Sequence, residues 1–374
     1  MARTITVAAA QMGPVWSDPV NPGGPASRQA ALARMLVLLE DAAARGAQLV
    51  VYPELALTTF FPRGLLTDPA EVAAFFEPAR PGSDVLASPH FQPLIDRATA
   101  LGVDVSLGYA ERWTAGDGVT TTDYNAALYY SATTRTVLAK YRKVHLPGRT
   151  TLLPDPGAAQ QLEKYYFTPG DLGFQAFRVP GLVPGALKSE DAGTGTAAAT
   201  AASDNSGTVG RGDPILGMLI CNDRRWPEAW RCLGLQGAEL VLCGYNSSNY
   251  KPQEPGTEAE QEALALLHHH ISCQSGSYHN ACFGVHVAKA GVEASGPGGG
   301  LIGESVIYDP LGRKVAQSTT KEDELLVATL DLDLCRAPRA GVFNFANHRR
   351  VEHYGRIVEQ VGLVEPPLLS KATT

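Results

Sequence analysis

Short apolar runs alternate with stretches of helical period along most of the chain, and that alternation limits the folds open to it. Ile5–Ala10 reads as a strand, Arg28–Arg45 as a helix with apolar residues at helical spacing, and Gln48–Tyr52 as a second strand. Phe91–Leu101 reads as helix and Val103–Tyr109 as strand. A hairpin of Tyr124–Tyr130 and Thr136–Tyr141 follows, around the polar turn Ser131-Ala-Thr-Thr. Downstream, Ile215–Ile220, Leu240–Cys243 and Phe283–Val287 read as strands, separated by the helical stretches Trp226–Leu235 and Glu258–Ser275. Glu304–Tyr308, Lys314–Gln317 and Leu325–Leu330 close the series as strands. Helices between strands cover sheet faces, and hairpins add antiparallel pairs, so the pattern predicts a layered α/β fold with mixed sheets. No internal sequence repeat is evident.

With 374 residues, 44% of them hydrophobic, the chain is long enough to bury a large core. Two segments interrupt the pattern. Gly181–Asp213 is dominated by Gly, Ala, Ser and Thr, a composition that buries too little apolar surface to offset chain entropy. Regular structure resumes on both sides, so it reads as a flexible surface insertion in a single domain spanning 1–374. Pro297–Gly300 is a shorter Gly-rich turn without the strand–loop–helix setting of a phosphate site.

Charge and cysteine usage exclude several classes of function. The net charge is −7 and Lys and Arg are scattered, which argues against nucleic acid as a partner. No apolar run reaches the ~18–20 residues of a membrane span, and no secretory leader is read at the N-terminus, so no membrane and a cytoplasmic location are expected. The six cysteines form no compact disulfide framework and no C-x-x-C pair, and most are expected to be reduced thiols packed as small hydrophobes.

One cysteine has a setting that asks for more. Cys221 follows the apolar run Ile215–Ile220 and precedes a helix, at the carboxyl end of a strand where α/β sheets bind ligands. Helix-start N–H groups favour a thiolate there; a buried structural thiol is the alternative. The polar run Asn222-Asp-Arg-Arg after it would be costly to bury unpaired, so it belongs to the surface or to a site. Glu54 follows an apolar strand and a proline. Partial desolvation there would raise its pKa and suit it to exchange a proton with a thiol, although a plain helix-start charge fits equally. Lys143, at the end of Val137-Leu-Ala-Lys-Tyr-Arg-Lys, suits oxyanion stabilisation but is also what an ordinary basic hairpin end looks like. His145, taken alone, is more often a satisfied structural histidine. His268-His-His does not converge on one metal ion, because successive helical residues point about 100° apart.

Taken together, Glu in Tyr52-Pro-Glu, Lys in Tyr141-Arg-Lys-Val-His-Leu and Cys in Leu219-Ile-Cys-Asn-Asp resemble the signature of the nitrilase superfamily in that chain order. The resemblance implies a four-layer α-β-β-α sandwich with mixed sheets, no cofactor and no metal. It casts Glu54 as general base, Lys143 as oxyanion stabiliser and Cys221 as nucleophile. Glu163, in Gln161-Leu-Glu-Lys, matches a second glutamate that supports the lysine and the substrate amide.

The likeness extends to one branch. Glu54-Leu-Ala-Leu-Thr-Thr-Phe-Phe-Pro-Arg, Lys140-Tyr-Arg-Lys-Val-His-Leu-Pro-Gly, Leu162-Glu-Lys-Tyr-Tyr-Phe-Thr-Pro-Gly, Ile220-Cys-Asn-Asp-Arg-Arg-Trp-Pro-Glu and Phe343-Asn-Phe-Ala-Asn-His-Arg resemble N-carbamoyl-D-amino-acid amidohydrolases. Such a substrate carries a free carboxylate, which arginines grip in bidentate fashion. Arg224 and Arg225 are therefore candidate carboxylate anchors, unless one is taken by a salt bridge to Asp223 or Glu228. Asn222, Asn246 and His145 are candidate polar contacts. Gln161 and Glu304 stand where this branch is expected to carry histidines, which bears on substrate range more than on reaction class. Neighbouring activities of the superfamily (β-ureidopropionase, aliphatic amidase, nitrilase) are the rivals, with an inactive binding scaffold as the rival of another class. The resemblance also implies a homo-oligomer, dimer or tetramer, with the 340–374 tail as a candidate contact.

Overall fold

The computed structural model describes residues 2–15, 24–82, 85–155, 158–184, 186, 210–293 and 298–368. Most of the Gly181–Asp213 insertion, and the first residue of the Pro297–Gly300 turn, lie outside them.

In chain order the strands are β1 Thr4–Gln11, β2 Leu49–Val51, β3 Phe76–Ala79, β4 Asp104–Thr114, β5 Thr121–Ser131, β6 Thr136–Arg142, β7 Ala176–Arg178 and β8 Ile215–Ile220. They continue with β9 Leu240–Tyr245, β10 Phe283–Ala288, β11 Ala290–Gly291, β12 Leu301–Ile302, β13 Val306–Tyr308, β14 Lys314–Gln317 and β15 Glu324–Asp331. One sheet runs β15-β1-β2-β4-β5-β6, with β3 also on β4, and a second runs β14-β13-β10-β9-β8-β7. β1, β2 and β4 pair in parallel, as do β8, β9 and β10, and antiparallel strands flank each parallel set. The mixed sheets expected from the sequence are present.

Parallel neighbours require crossovers, and helices supply them. Pro25–Ala44 joins β1 to β2, and Gln92–Leu101 leads into β4. Pro227–Leu235 joins β8 to β9, and Glu258–Asn280 joins β9 to β10. The two halves thus share a strand–helix–strand–helix–strand order that the residues themselves do not advertise. A topology repeats without a sequence repeat because burial period, rather than residue identity, specifies each element.

Alternation along the strands sorts side chains into layers. Val7, Leu49, Val51, Leu216, Met218, Leu242 and Val285 face inward and form the core between the sheets. Ala8, Val50 and Val105 face the other way, against Met35, Leu39, Leu94 and Ala98 of the first pair of helices. Leu219 and Val241 meet Ala229, Trp230 and Leu233 on the outer face of the second sheet. The order is helix, sheet, sheet, helix, the sandwich that the resemblance implies.

Some boundaries differ from the sequence reading. The Glu258 helix runs on to Asn280, past Ser275-Gly-Ser. Gly276 is not a stop but a point of close packing, since a β-carbon there would lie 2.2 Å from the Trp230 indole. Phe76–Ala79 and Ala176–Arg178 are short added strands that the apolar pattern did not reveal.

Candidate active site

The site lies at the carboxyl ends of the parallel strands, between the two sheets. On the first sheet, β2 pairs with residues 104–106 of β4 and β3 pairs with residues 110–113 of the same strand. The chain leaves the sheet between these two pairings, and Glu54 sits in the gap. Gly108 of β4 donates its N–H to the Pro53 carbonyl and accepts from Ala56 N–H at 2.9 Å. From the second sheet, Gly244 of β9 presses on the same peptide. A β-carbon at Gly108 would stand 2.7 Å from Glu54 Cα, and one at Gly244 would stand 2.5 Å from Glu54 N. Two glycines, one from each sheet, therefore fix the Glu54 backbone.

Lys143 follows β6, its N–H bonded to the Asn125 carbonyl of β5 at 2.8 Å. Its ammonium is buried and lies 2.8 Å from Glu54 Oε1 and 2.5 Å from Glu163 Oε2. Asn125 braces both acids, its Nδ2 donating to Glu54 Oε1 at 2.7 Å and to Glu163 Oε2 at 3.4 Å. Glu54 Oε1 is thus doubly held, whereas the equally buried Oε2 has no hydrogen-bond partner. Sequence reasoning missed Asn125. Its signal was a lone amide in the apolar stretch Tyr124-Asn-Ala-Ala-Leu, which a buried strand tolerates only when it is bonded.

Cys221 opens a 3-10 turn, Cys221–Arg225, at the end of β8, with φ of +48°. Side-chain residues rarely adopt that left-handed backbone, and strain of this kind clusters at functional sites. The thiol is buried and donates to the Asn246 carbonyl at 3.2 Å. The Asn246 side chain returns to the Glu54 carbonyl at 2.9 Å, which links the ends of the two sheets.

The ligand atoms of Glu54, Glu163 and Cys221 all lie within 4.8 Å of one another. An ion held there would compete with the Lys143 ammonium, which already binds both carboxylates.

Burial pushes the Cys221 thiol up to about 11; the Glu54 charge adds to this, and Lys143 and Arg224 offset part of it. At neutral pH the sulfur therefore carries its proton and needs a base. Burial also raises Glu163 to about 7 against the pull of Lys143, with Glu54 adding repulsion. Burial opposes the charge of Lys143, yet Cys221, Glu163 and Glu54 together hold it well above the ordinary lysine value. An ammonium so buried persists only because two carboxylates face it.

A cavity of about 430 Å3 opens over the sulfur, and its walls include Phe60, Glu163, Asn222, Arg224, Arg225 and His268. The two arginines differ. Arg224 is buried, donates to the Cys221 carbonyl at 2.7 Å and to Ser247 Oγ at 2.9 Å, and lies 4.4 Å over the Tyr245 ring. Arg225 is exposed and has no hydrogen bond or salt bridge to the described residues. Neither pairs with Asp223 or Glu228. Of the histidine triplet, His268 lines the cavity, His269 stacks on Tyr245, and His270 lies 2.5 Å from Glu304. His145 faces away from this cavity. It stacks on Trp226 and lines a neighbouring cavity of about 340 Å3, which shares only Asn222 with the first.

Residues 6–340 match the carbon-nitrogen hydrolase family. The chain belongs to that family. It is similar to the N-carbamoylputrescine amidase of Arabidopsis thaliana, 27% identical over 82% of this chain and 83% of the relative. A nitrilase of Pyrococcus abyssi is 27% identical over 85% of this chain and 90% of its own. The crystal structure of a carbon-nitrogen hydrolase from Helicobacter pylori superposes with a TM-score of 0.66 at 20% identity, covering 96% of this chain and 99% of that one, and confirms the fold. The resemblance to the nitrilase superfamily holds, and this carbon-nitrogen hydrolase is an enzyme acting on carbon–nitrogen bonds. Among the described residues, no helix is long and apolar enough to cross a membrane.

Proposed function

We propose that the enzyme hydrolyses N-carbamoyl amino acids to the free amino acid, ammonia and carbon dioxide, through a covalent intermediate on Cys221. The carrying observation is the meeting of a thiol, two carboxylates and an ammonium under a cavity whose open side presents Arg225. In this reading Glu54 Oε2, the unpartnered oxygen, takes the thiol proton, and the sulfur attacks the carbamoyl carbon. Lys143 and the Asn222 backbone N–H stabilise the oxyanion. Glu54 returns the proton to the departing ammonia, and water then cleaves the thiocarbamate, freeing the thiol and a carbamic acid that loses carbon dioxide to leave the amino acid. Glu163 and Asn125 hold Lys143 and Glu54 in register.

The substrate class is supported by charge at the mouth. Arg225 and His268 line it, and the acid there, Glu254, is paired with Lys251 at 3.1 Å. A carboxylate-bearing substrate complements this rim better than a cationic amine tail such as that of N-carbamoylputrescine. Arg225 is the anchor of choice, since Arg224 is buried and already donates to the Cys221 carbonyl and Ser247 Oγ, whereas Arg225 is exposed at the cavity wall. Asn222 and Asn246 supply further polar contacts to the ureido group. Preference for the D series rests on the motif resemblance.

A substrate panel tests the proposal: N-carbamoyl-D- and L-amino acids, N-carbamoylputrescine, simple amides and nitriles. Turnover confined to the carboxylate-bearing ureides supports it, and faster turnover of putrescine derivatives, amides or nitriles rejects it. The same reading takes the protein as a cytoplasmic homo-oligomer. Six unpaired thiols suit a reducing compartment, and Val358, Val361, Leu363 and Leu368 of the tail stand exposed for a second copy to cover. Light scattering tests the oligomer.

A further inference from the structure

Asp223 is buried with no exposure, and its carboxylate collects donors from two separate parts of the chain. From its own turn, the Ile220 N–H reaches Oδ2 at 3.1 Å. From β6 and the bend after it, the Tyr141 hydroxyl donates to Oδ2 at 2.7 Å, and the N–H and Nδ1 of His145 stand 2.9 Å from Oδ1. A carboxylate only accepts, so the His145 proton sits on Nδ1. Tyr141 and His145 are placed two residues before and two after Lys143, and Ile220 immediately precedes Cys221. Tyr141 lies in β6 and His145 in the bend that follows it, so fixing both holds the backbone on either side of Lys143. The ring of His145 is held further by stacking on Trp226 at 4.8 Å and 9°.

We propose that Asp223 is the positioning residue that registers the nucleophile turn against the segment carrying Lys143, acting through Ile220 on one side and through Tyr141 and His145 on the other. The inference rests on the reading of Cys221 and Lys143 given above. Without this carboxylate, neither the left-handed backbone at Cys221 nor the aim of the lysine has a shared anchor. A displacement near 1 Å between such groups costs up to about a hundredfold in rate.

Two variants test it in the full chain, with turnover of the best substrate and alkylation of Cys221 by iodoacetamide read across pH. Asp223→Asn keeps an oxygen for His145 but sets an amide N–H against the Ile220 N–H. It is expected to lower kcat about ten- to a hundredfold with KM within about twofold. Tyr141→Phe removes one donor without changing charge. It is expected to lower kcat a few-fold and to move the Cys221 alkylation midpoint upward, as Lys143 drifts from the sulfur. In the double variant the losses combine to less than their product, because both act through one carboxylate. Wild-type kcat in Asp223→Asn overturns the proposal, as does an unmoved alkylation profile in Tyr141→Phe. If Asp223→Asn does not fold, Tyr141→Phe decides alone. An error in the catalytic reading shows separately, as retained turnover in Cys221→Ala, while the alkylation profile still reports the coupling.

Discussion

Gly244 lies against Glu54 so closely that any β-carbon at 244 would stand 2.5 Å from the Glu54 backbone nitrogen. The contact is backbone on backbone, so no side-chain rotation relieves it. Gly244→Ala is expected to cost about 1–3 kcal/mol of stability by overpacking and to lower kcat more than tenfold by shifting Glu54. Urea unfolding and steady-state rates measure the two effects.

Cys221→Ala should abolish turnover while the fold is kept, since alanine fills most of the thiol's volume and the hydrogen bonds lost, to the Asn246 carbonyl and from Arg224, are weak ones to sulfur. Circular dichroism and product assays measure this. A variant turning over at the wild-type rate rules out the proposed nucleophile.

Glu54→Gln should make the enzyme slower and its thiol more acidic. Burial and the Glu54 charge both hold the Cys221 pKa up, near 11. Removing the charge lowers that value, yet no group then takes the proton during attack. The expected outcome is a kcat loss of about 10²–10⁴, with an alkylation midpoint below that of the wild type.

Glu163 gives stability a definite pH signature. Its folded pKa is raised by burial to about 7, above the usual glutamate value. The folded state therefore binds this proton more tightly than the unfolded chain. Its contribution is fully present below about pH 4.3 and is lost as pH rises towards 7. Glu163→Gln should flatten the fall of Tm with pH across that window, as differential scanning calorimetry would measure.

Arg225→Gln should raise KM for N-carbamoyl amino acids by about ten- to a hundredfold, the loss of a charged hydrogen bond worth about 1.5–3 kcal/mol. The change in kcat should be small, and simple amides should be unaffected. An equal effect on neutral amides would show that the guanidinium does not hold a carboxylate.

Much of this site could be read from residue order, because apolar strands ending in a charged or sulfur-bearing residue mark the carboxyl ends of a sheet. Glu54, Lys143 and Cys221 each follow such a strand, whereas Glu163 comes from the motif resemblance alone; the four converge in space. What escaped the reading depended on side chains meeting across the fold. Asn125 matters because β5 lies beside the Lys143 segment, and Asp223 because its turn faces Tyr141. Arg224 lines the cavity and also donates to the Cys221 carbonyl, and His145 bonds Asp223 beside a neighbouring cavity, contacts that residue order does not reveal. Gly276 showed the limit of composition: the same residue ends a helix or lets an indole approach it, and only the neighbouring Trp230 distinguishes the two.

The proposed acid–base machinery hangs from one sheet and the sulfur from the other, so the reactive arrangement exists only while the two layers remain face to face. Heat inactivation should then trace the same curve as loss of tertiary structure, with no active fragment surviving proteolysis between the halves. Such an enzyme carries its own folding assay.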